Sequence, residues 1–268
     1  MNMEKIEAKT MGFVIELKIH DIDSRQYLKK GACMKYTEDE RREYLMKTSA
    51  GSNVYNYWDK FITKYKLPSY EWIVDNIFIE HRITGSQDRY NTVDYIFTPC
   101  EVLDIFQFYS TEFIDHIVKT INKLGPRSIV EVGAGDGYLS YFLGERGVDI
   151  VPTDDYSRPH INRPERVEKI GQKDALKKYN PDLVVINWEE FQATISLDVL
   201  AHPSVKHLLW IGEGKGGCTG SEELWEFDYE DTDNPYCLSR SDECWLHMDQ
   251  VLKRTFVALF HPKSRKNA

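Results

Sequence analysis

The sequence predicts an α/β protein: a doubly wound parallel sheet over residues 125–268, preceded by a mostly helical segment over 1–124. Three observations carry this. Residues 128–140 read as a strand, a tight glycine turn and a helix. Apolar runs then recur between helical stretches, the alternation that builds a parallel sheet, and four strands in succession end in loops of unusual composition. The residues before them space their aromatic and aliphatic side chains at helical intervals.

The first segment begins with an exception. Phe13, Ile15, Leu17 and Ile19 alternate with Val14, Glu16 and Lys18, a half-buried strand pattern that stands too far from the sheet to join its core. Thr37 with Glu40 forms a capping box before a helix reaching Lys47. Ser52 opens a second helical stretch up to Pro68, carrying Tyr55, Trp58, Phe61, Ile62 and Tyr65. Ser69 starts a third, with Trp72, Ile73, Ile77 and Phe78. Pro99 starts a fourth, which runs past Phe113, Ile117 and Ile121 to a stop at Gly125-Pro126. This aromatic-rich segment reads as a helical cap, or lid, in front of the sheet. Most of its aromatics pack helices together, since aromatics dominate cores. Tyr55, Tyr57 and Trp58 are the candidates for facing a substrate.

In the glycine turn, an apolar run ends in Glu131, Val132 follows, and Gly133, Gly135 and Gly137 stand at every second position. Leu139, Phe142 and Leu143 then start a helical face. Glycine lets a ligand approach the backbone and tolerates positive φ. A dinucleotide turn reads G-x-G-x-x-G; here the spacing is G-x-G-x-G, and Glu131 and Asp136 would repel a pyrophosphate. A carboxylate there suits a ligand with an amino group or a sulfonium. The segment resembles the first motif of the class I S-adenosylmethionine-dependent methyltransferases, and the later elements keep that superfamily's order from about Gly125 to the final strand.

The resemblance implies a Rossmann-like sheet whose last strand is antiparallel, S-adenosylmethionine as cofactor, and a set of contacts. Glu131 lies near the amino acid end of the cofactor, directly or through the turn; Gly133, Ala134, Gly135 and Gly137 admit its backbone; Asp136 touches the methionine portion or caps the helix. The run 148–151 is a second strand, ending in Pro152, Thr153, Asp154 and Asp155. Asp154, 17 residues beyond Gly137, takes the ribose hydroxyls in preference to Asp155. A third strand begins near Val167, and the resemblance gives the adenine to Asp174 and the Ala175 N–H, although an aspartate before a helical run is also an N-cap. The fourth strand, 183–186, is continuously apolar, as a strand buried on both faces should be. Asn187 and Trp188 at its end match the family's amide and aromatic. They do not form the Asn-Pro-Pro-aromatic motif of nucleobase amine methylation, which argues against adenine or cytosine-N4 in DNA.

The fifth strand, 205–211, runs into a loop from Gly212 to Gly220. Glu213 directly follows it and is the first candidate for a general base, with Glu189 and Glu190 beside it near the same edge. His81 and His160 qualify by ordinary pKa alone; His207 begins its strand and belongs to the opposite edge. Beyond, a helix starts at Ser221, 228–235 is an acidic loop, 245–253 is helix-like, and 254–260 is the last strand. Cys218, Cys237, Cys244 and His247 hold the atoms for zinc, but their spacings match no finger or ribbon, so no metal is expected.

The formal charge of −9 disfavours a long nucleic-acid footprint. Five cysteines without a C-x-x-C pair suit a reducing cytoplasm. No apolar run reaches a membrane span, and the N-terminus lacks signal-peptide regions. The expectation is a cytoplasmic methyltransferase acting on a small-molecule or peptide-like acceptor. Two alternatives share the fold: an aminopropyl transferase, to which Gly135-Asp136-Gly137 is also similar, and a non-catalytic partner or sensor subunit.

Overall fold

The computed structural model describes residues 37–47, 49–79, 96–97, 99–158, 166–244 and 251–265. The chain divides into two units, Met1–Ala32 and Cys33–Ala268, and every described residue belongs to the second. The expected strand over 13–19, and His81, His160 and His247, lie outside the described residues.

A two-residue strand, β1 (Gln107–Phe108), precedes the main sheet. That sheet is formed by β2 (Ile129–Val132), β3 (Ile150–Asp154), β4 (Glu168–Lys169), β5 (Leu183–Asn187), β6 (His207–Glu213), β7 (Phe227–Asp231) and β11 (Thr255–Arg265). Its order is β4-β3-β2-β5-β6-β11-β7. β2 pairs in parallel with both β3 and β5, β3 with β4, and β5 with β6. β11 is antiparallel to β6 and β7. The strand order reverses between β2 and β5, which opens a crevice outside their carboxyl ends.

The central strands hold this position because both their faces are buried. Leu183, Val185, Leu209 and Ile211 pack on one face; Val184, Ile186, Leu208 and Trp210 pack on the other. The first face is covered by α4 (Thr111–Leu124) and α5 (Tyr138–Gly144), through Phe113, Ile117, Leu139 and Phe142. The second is covered by α6 (Gln172–Tyr179) and α7 (Ile195–Ala201), through Leu176, Val199 and Leu200. Helices on both faces make the sheet doubly wound.

The first two cap helices form as α1 (Glu38–Leu45) and α2 (Ser49–Lys60), but the second begins before the expected Ser52 and ends well short of Pro68, giving way to a 3₁₀ turn, Ile62–Lys64, closed by a left-handed Tyr65. The third helix, numbered before α4 in the chain, is short: Tyr70–Ile73, capped by Ser69 Oγ accepting from the Trp72 N–H, then a π-helical turn over Val74–Ile79. Leu45, Val54, Tyr57, Ile73 and Ile77 join the same core as the first sheet face.

Other expected elements differ as well. The helix expected from Pro99 to Gly125 is broken: a helical segment at 99–103 ends where Asp104 takes φ +55 and the Ile105 N–H turns back to the Cys100 carbonyl. β1 follows, and Ser110 Oγ then caps α4 by accepting from the Phe113 N–H at 3.1 Å. The acidic stretch expected as a loop over 228–235 is in its first part strand β7; an edge strand with charges facing water is a common arrangement. The helix-like stretch 245–253 is not a helix at its end, because β10 (Val251–Leu252) pairs antiparallel with β9 (Glu243–Cys244). The last strand runs on to Arg265, through a register shift between Phe260 and Arg265.

Candidate functional site

A cleft lies outside the carboxyl ends of β2 and β5, lined by the glycine turn, the ends of β3 and β5, and cap residues of α2 and 103–109. Gly133, Gly135 and Gly137 all take positive φ, +67, +56 and +70. A side chain at Gly133 would meet nothing within 4 Å, so the cleft side of the turn is open. The turn is pinned to β3 by the Ala134 N–H, which donates to the Thr153 carbonyl at 2.9 Å, and closed on itself by the Gly137 N–H, which donates to the Ala134 carbonyl at 2.8 Å.

Glu131 stands beneath the turn, 1% exposed. Its Oε2 accepts from the Ser140 N–H at 3.2 Å and from the Ser140 hydroxyl, which ties β2 to α5. Burial pushes its carboxyl up to about 7, against the Ser140 hydrogen bonds and with the help of Asp154. Glu131 does not line the cleft among the described residues; it acts through the turn.

Asp154 and Asp155 both line the cleft but are used differently. Asp154 is buried, and both its oxygens accept backbone N–H groups: Oδ2 from Gly135 at 2.9 Å and Oδ1 from Tyr156 at 2.7 Å. Asp155 is exposed and accepts from the Ser157 N–H at 2.8 Å; those Ser157 contacts hold its carboxyl below the ordinary range. Asp174 and Ala175 do not stand at the cleft. Asp174 is exposed in the first turn of α6, and the Ala175 N–H donates to the Gly171 carbonyl inside that helix. Ile170, Gly171 and Gln172 line the cleft instead, so the adenine contact expected of the Asp174-Ala175 pair falls a helical turn too late.

Asn187 and Trp188 both line the cleft. The Asn187 amide donates from Nδ2 to the Tyr109 hydroxyl at 2.8 Å, and its Oδ1 is buried without a partner. Trp188 takes φ +62, which is rare for a bulky residue. Its indole N–H donates to Gln107 Oε1 at 3.2 Å, and the Gln107 amide donates to the Leu238 carbonyl at 2.6 Å. β8 (Leu238–Ser239) pairs with β1, so this relay fixes the indole from the far side of the chain. Phe106 packs beside Trp188 at 5.7 Å, with the Arg240 and Arg158 guanidinium groups 4.0 and 4.5 Å from its ring centre. Arg158 also pairs with Asp104 at 3.1 Å.

Of the three cap aromatics, Tyr57 and Trp58 line the cleft; Tyr55 does not, and packs on Trp58 at 5.9 Å. Tyr57 is fully buried, its hydroxyl accepting from the Tyr109 N–H at 2.7 Å. Burial pushes the phenols of Tyr57 and Tyr109 well up, so both are neutral at pH 7.

The two candidate bases also separate. Glu213 closes its own loop, its Oε2 accepting from the Cys218 N–H at 2.6 Å, and it does not line the cleft. A side chain on Gly217 would lie 2.4 Å from Glu213 Cβ, so that glycine is what lets the loop fold over it. Glu189 does line the cleft; it is buried, its Oε1 accepts from the Ser196 N–H at 2.9 Å, and burial raises its carboxyl against that bond. Glu190 lines the cleft from an exposed position. His207 begins β6, at the edge away from the cleft. Cys218 is an exposed free thiol and Cys237 a buried one, and no group of three metal-ligating side chains occurs among the described residues; the Cys244 side chain lies outside them.

Phe106, Gln107, Tyr109 and Arg158 line the cleft without having been singled out in the sequence. The helix drawn through 99–125 hid the first three. The readable signal was the alternation of Ile105, Gln107 and Tyr109 with Phe106 and Phe108, followed by Ser110 as a helix cap.

No protein-family model matches the chain, and no curated protein matches it. Among solved structures, human N-acetylserotonin methyltransferase in complex with S-adenosylmethionine aligns over 80% of this chain and 66% of that one, at 9% identity and a TM-score of 0.34. So distant a likeness carries no argument about activity.

Proposed function

We propose that the chain is an S-adenosylmethionine-dependent methyltransferase acting on a small molecule. One observation carries the reading: the glycine turn opens on the crevice where the strand order reverses, the place at which open α/β sheets bind ligands. The residues there fit the cofactor. Gly133 leaves room for a close approach, and six carboxylates line the cleft (Asp104, Asp136, Asp154, Asp155, Glu189 and Glu190) against one guanidinium, Arg158, among the described residues. That balance suits a methyl donor of net positive charge. When bound, the donor supplies an electrophilic methyl carbon, and the protein's part is alignment and electrostatics.

In this reading Asp155, not Asp154, takes the ribose hydroxyls, because the Asp154 oxygens already hold Gly135 and Tyr156. Glu131 keeps the turn seated on α5. Trp188, Phe106 and Trp58 wall the acceptor side, and the cap lines the cleft rather than filling it. Calorimetric titration of the full chain with S-adenosylmethionine and S-adenosylhomocysteine is the test. Saturable binding of both is expected; none at millimolar ligand overturns the reading.

A further inference from the structure

We propose that Arg240 is a positioning residue for the acceptor side of the cleft: its guanidinium group sets the orientation of Phe106 and Trp188. This role rests on the methyltransferase reading and falls to a residue that does not itself line the cleft. Arg240 directly follows β8, and its backbone N–H donates to the Phe106 carbonyl at 3.1 Å, one step beyond the β1–β8 pairing. Its side chain is 12% exposed. The guanidinium lies over three rings, 4.0 Å from the centre of Phe106, 4.7 Å from Phe97 and 5.7 Å from Trp188. All three distances are within reach of a cation–π contact. Nη1 pairs with Glu101 of the helical segment 99–103. Phe106 and Trp188 line the cleft with ring centres 5.7 Å apart, and Arg240 is a partner common to both.

Stability alone does not account for a charge in this place. Taking a guanidinium out of water is costly, and a well-packed apolar side chain fills such a space without that cost. Burial accordingly weakens the hold of Arg240 on its proton, with the Glu101 carboxylate opposing and the Arg158 guanidinium adding to the effect. Arg240 Nε is also buried without a hydrogen-bond partner. What a guanidinium adds over an apolar group is a flat, rigid face, here fixed at one edge by Glu101. Such a face restricts how the rings against it can tilt. Trp188 needs that restraint, because its backbone sits at φ +62, rare for a bulky residue. Gln107 Oε1 holds the indole by its N–H, at 3.2 Å, and Arg240 holds it by its ring. A lysine could keep the Glu101 pair but has no flat face to offer the rings.

Arg240→Lys and Arg240→Met test this in the full chain. The Trp188 indole N–H signal is followed by ¹⁵N NMR and assigned by its loss in Trp188→Phe. In both variants it is expected to move or broaden. The signals of Trp210 and Trp225, which pack on the other face of the sheet, should stay in place and report an intact fold. Arg240→Lys, which keeps the ion pair, decides the matter if Arg240→Met does not fold. An unmoved Trp188 signal in Arg240→Lys means that charge alone suffices, and overturns the inference. Failure of both variants to fold gives Arg240 a structural role only, and overturns it too. For turnover, the acceptor is identified as the compound that the wild type labels in a small-molecule extract from S-adenosylmethionine carrying a ¹³C methyl group. Arg240→Lys is expected to lower kcat/KM for that compound at least 20-fold, with S-adenosylhomocysteine affinity within threefold of wild type. Equal losses in the two would put Arg240 in the service of the cofactor, and unchanged turnover would leave it no role in the reaction; either overturns the inference. If the wild type binds no S-adenosylhomocysteine, the methyltransferase reading falls, and the Trp188 signal still decides whether Arg240 holds the wall.

Discussion

Adjacent carboxylates do different work at this cleft, and the difference can be measured. Asp154 satisfies two backbone N–H groups, so Asp154→Ala leaves donors without partners and is expected to cost about 2–3 kcal/mol of folding stability as well as affinity. Asp155→Ala loses only the exposed Ser157 contact, so it is expected to lower the melting temperature less than Asp154→Ala does and to weaken S-adenosylmethionine binding by about 10–100-fold, the loss of a charged hydrogen bond. Equal thermal losses in the two variants would reject this division. Glu131 makes a pH prediction. Its folded pKa is about 7, raised from an ordinary 4.5 mainly by burial. Below 4.5 the carboxyl is protonated in both states and its burial costs nothing. As pH rises through that window the unfolded chain releases the proton first, so the folded state loses relative stability until about pH 7. Glu131→Gln removes the titration while keeping an oxygen for Ser140. Between pH 4.5 and 7 the wild type should therefore lose stability relative to the variant, by up to about 3 kcal/mol, read by chemical denaturation at each pH.

At the scale of elements, the parts of the sheet were legible because burial on both faces writes continuous apolar runs into β5 and β6, and because three glycines at alternate positions have few uses other than a turn at positive φ. β1 was not legible. Its partner β8 lies more than 100 residues away, and nothing local to Gln107 announces Leu238. The same pairing hid the relay that orients Trp188. The Asp174-Ala175 pair misled for a related reason: a dipeptide has no register, and the cleft opens at Gly171, before the helix is under way. β7 looked like a loop because an edge strand carries the charges of a loop. The break between 99–103 and α4 brings Phe106, Gln107 and Tyr109 to the cleft, and the Ser110 cap is one of its supports, beside the Ile105–Cys100 turn and the β1–β8 pairing. Ser110→Ala should cost about 1 kcal/mol, within the range for a lost N-cap. It should also loosen Tyr109, seen as a weaker near-ultraviolet dichroism signal. A variant with unchanged stability would mean that the other two supports set the break.

Across the whole of residues 33–268, the cap is not an appendage to the sheet. Tyr57 packs edge-on against Phe108 at 5.2 Å, Phe78 does so at 5.6 Å, and the core they share runs without interruption through Phe113 and Ile117 to Leu183 and Leu209. A cap that shares its core with the sheet has no separate hydrophobic interior with which to unfold alone. The described residues are therefore expected to unfold in one cooperative step, because opening the cap exposes one face of the sheet. Ile73, fully buried in the cap, tests this. Ile73→Ala should cost about 2–5 kcal/mol, the range for such a truncation. The loss should appear equally in a signal from the cap and in one from the sheet, such as hydrogen exchange at Val54 and at Val184. If exchange at Val54 accelerates while Val184 keeps its protection, the cap opens by itself, and cofactor entry would then be gated by a moving lid.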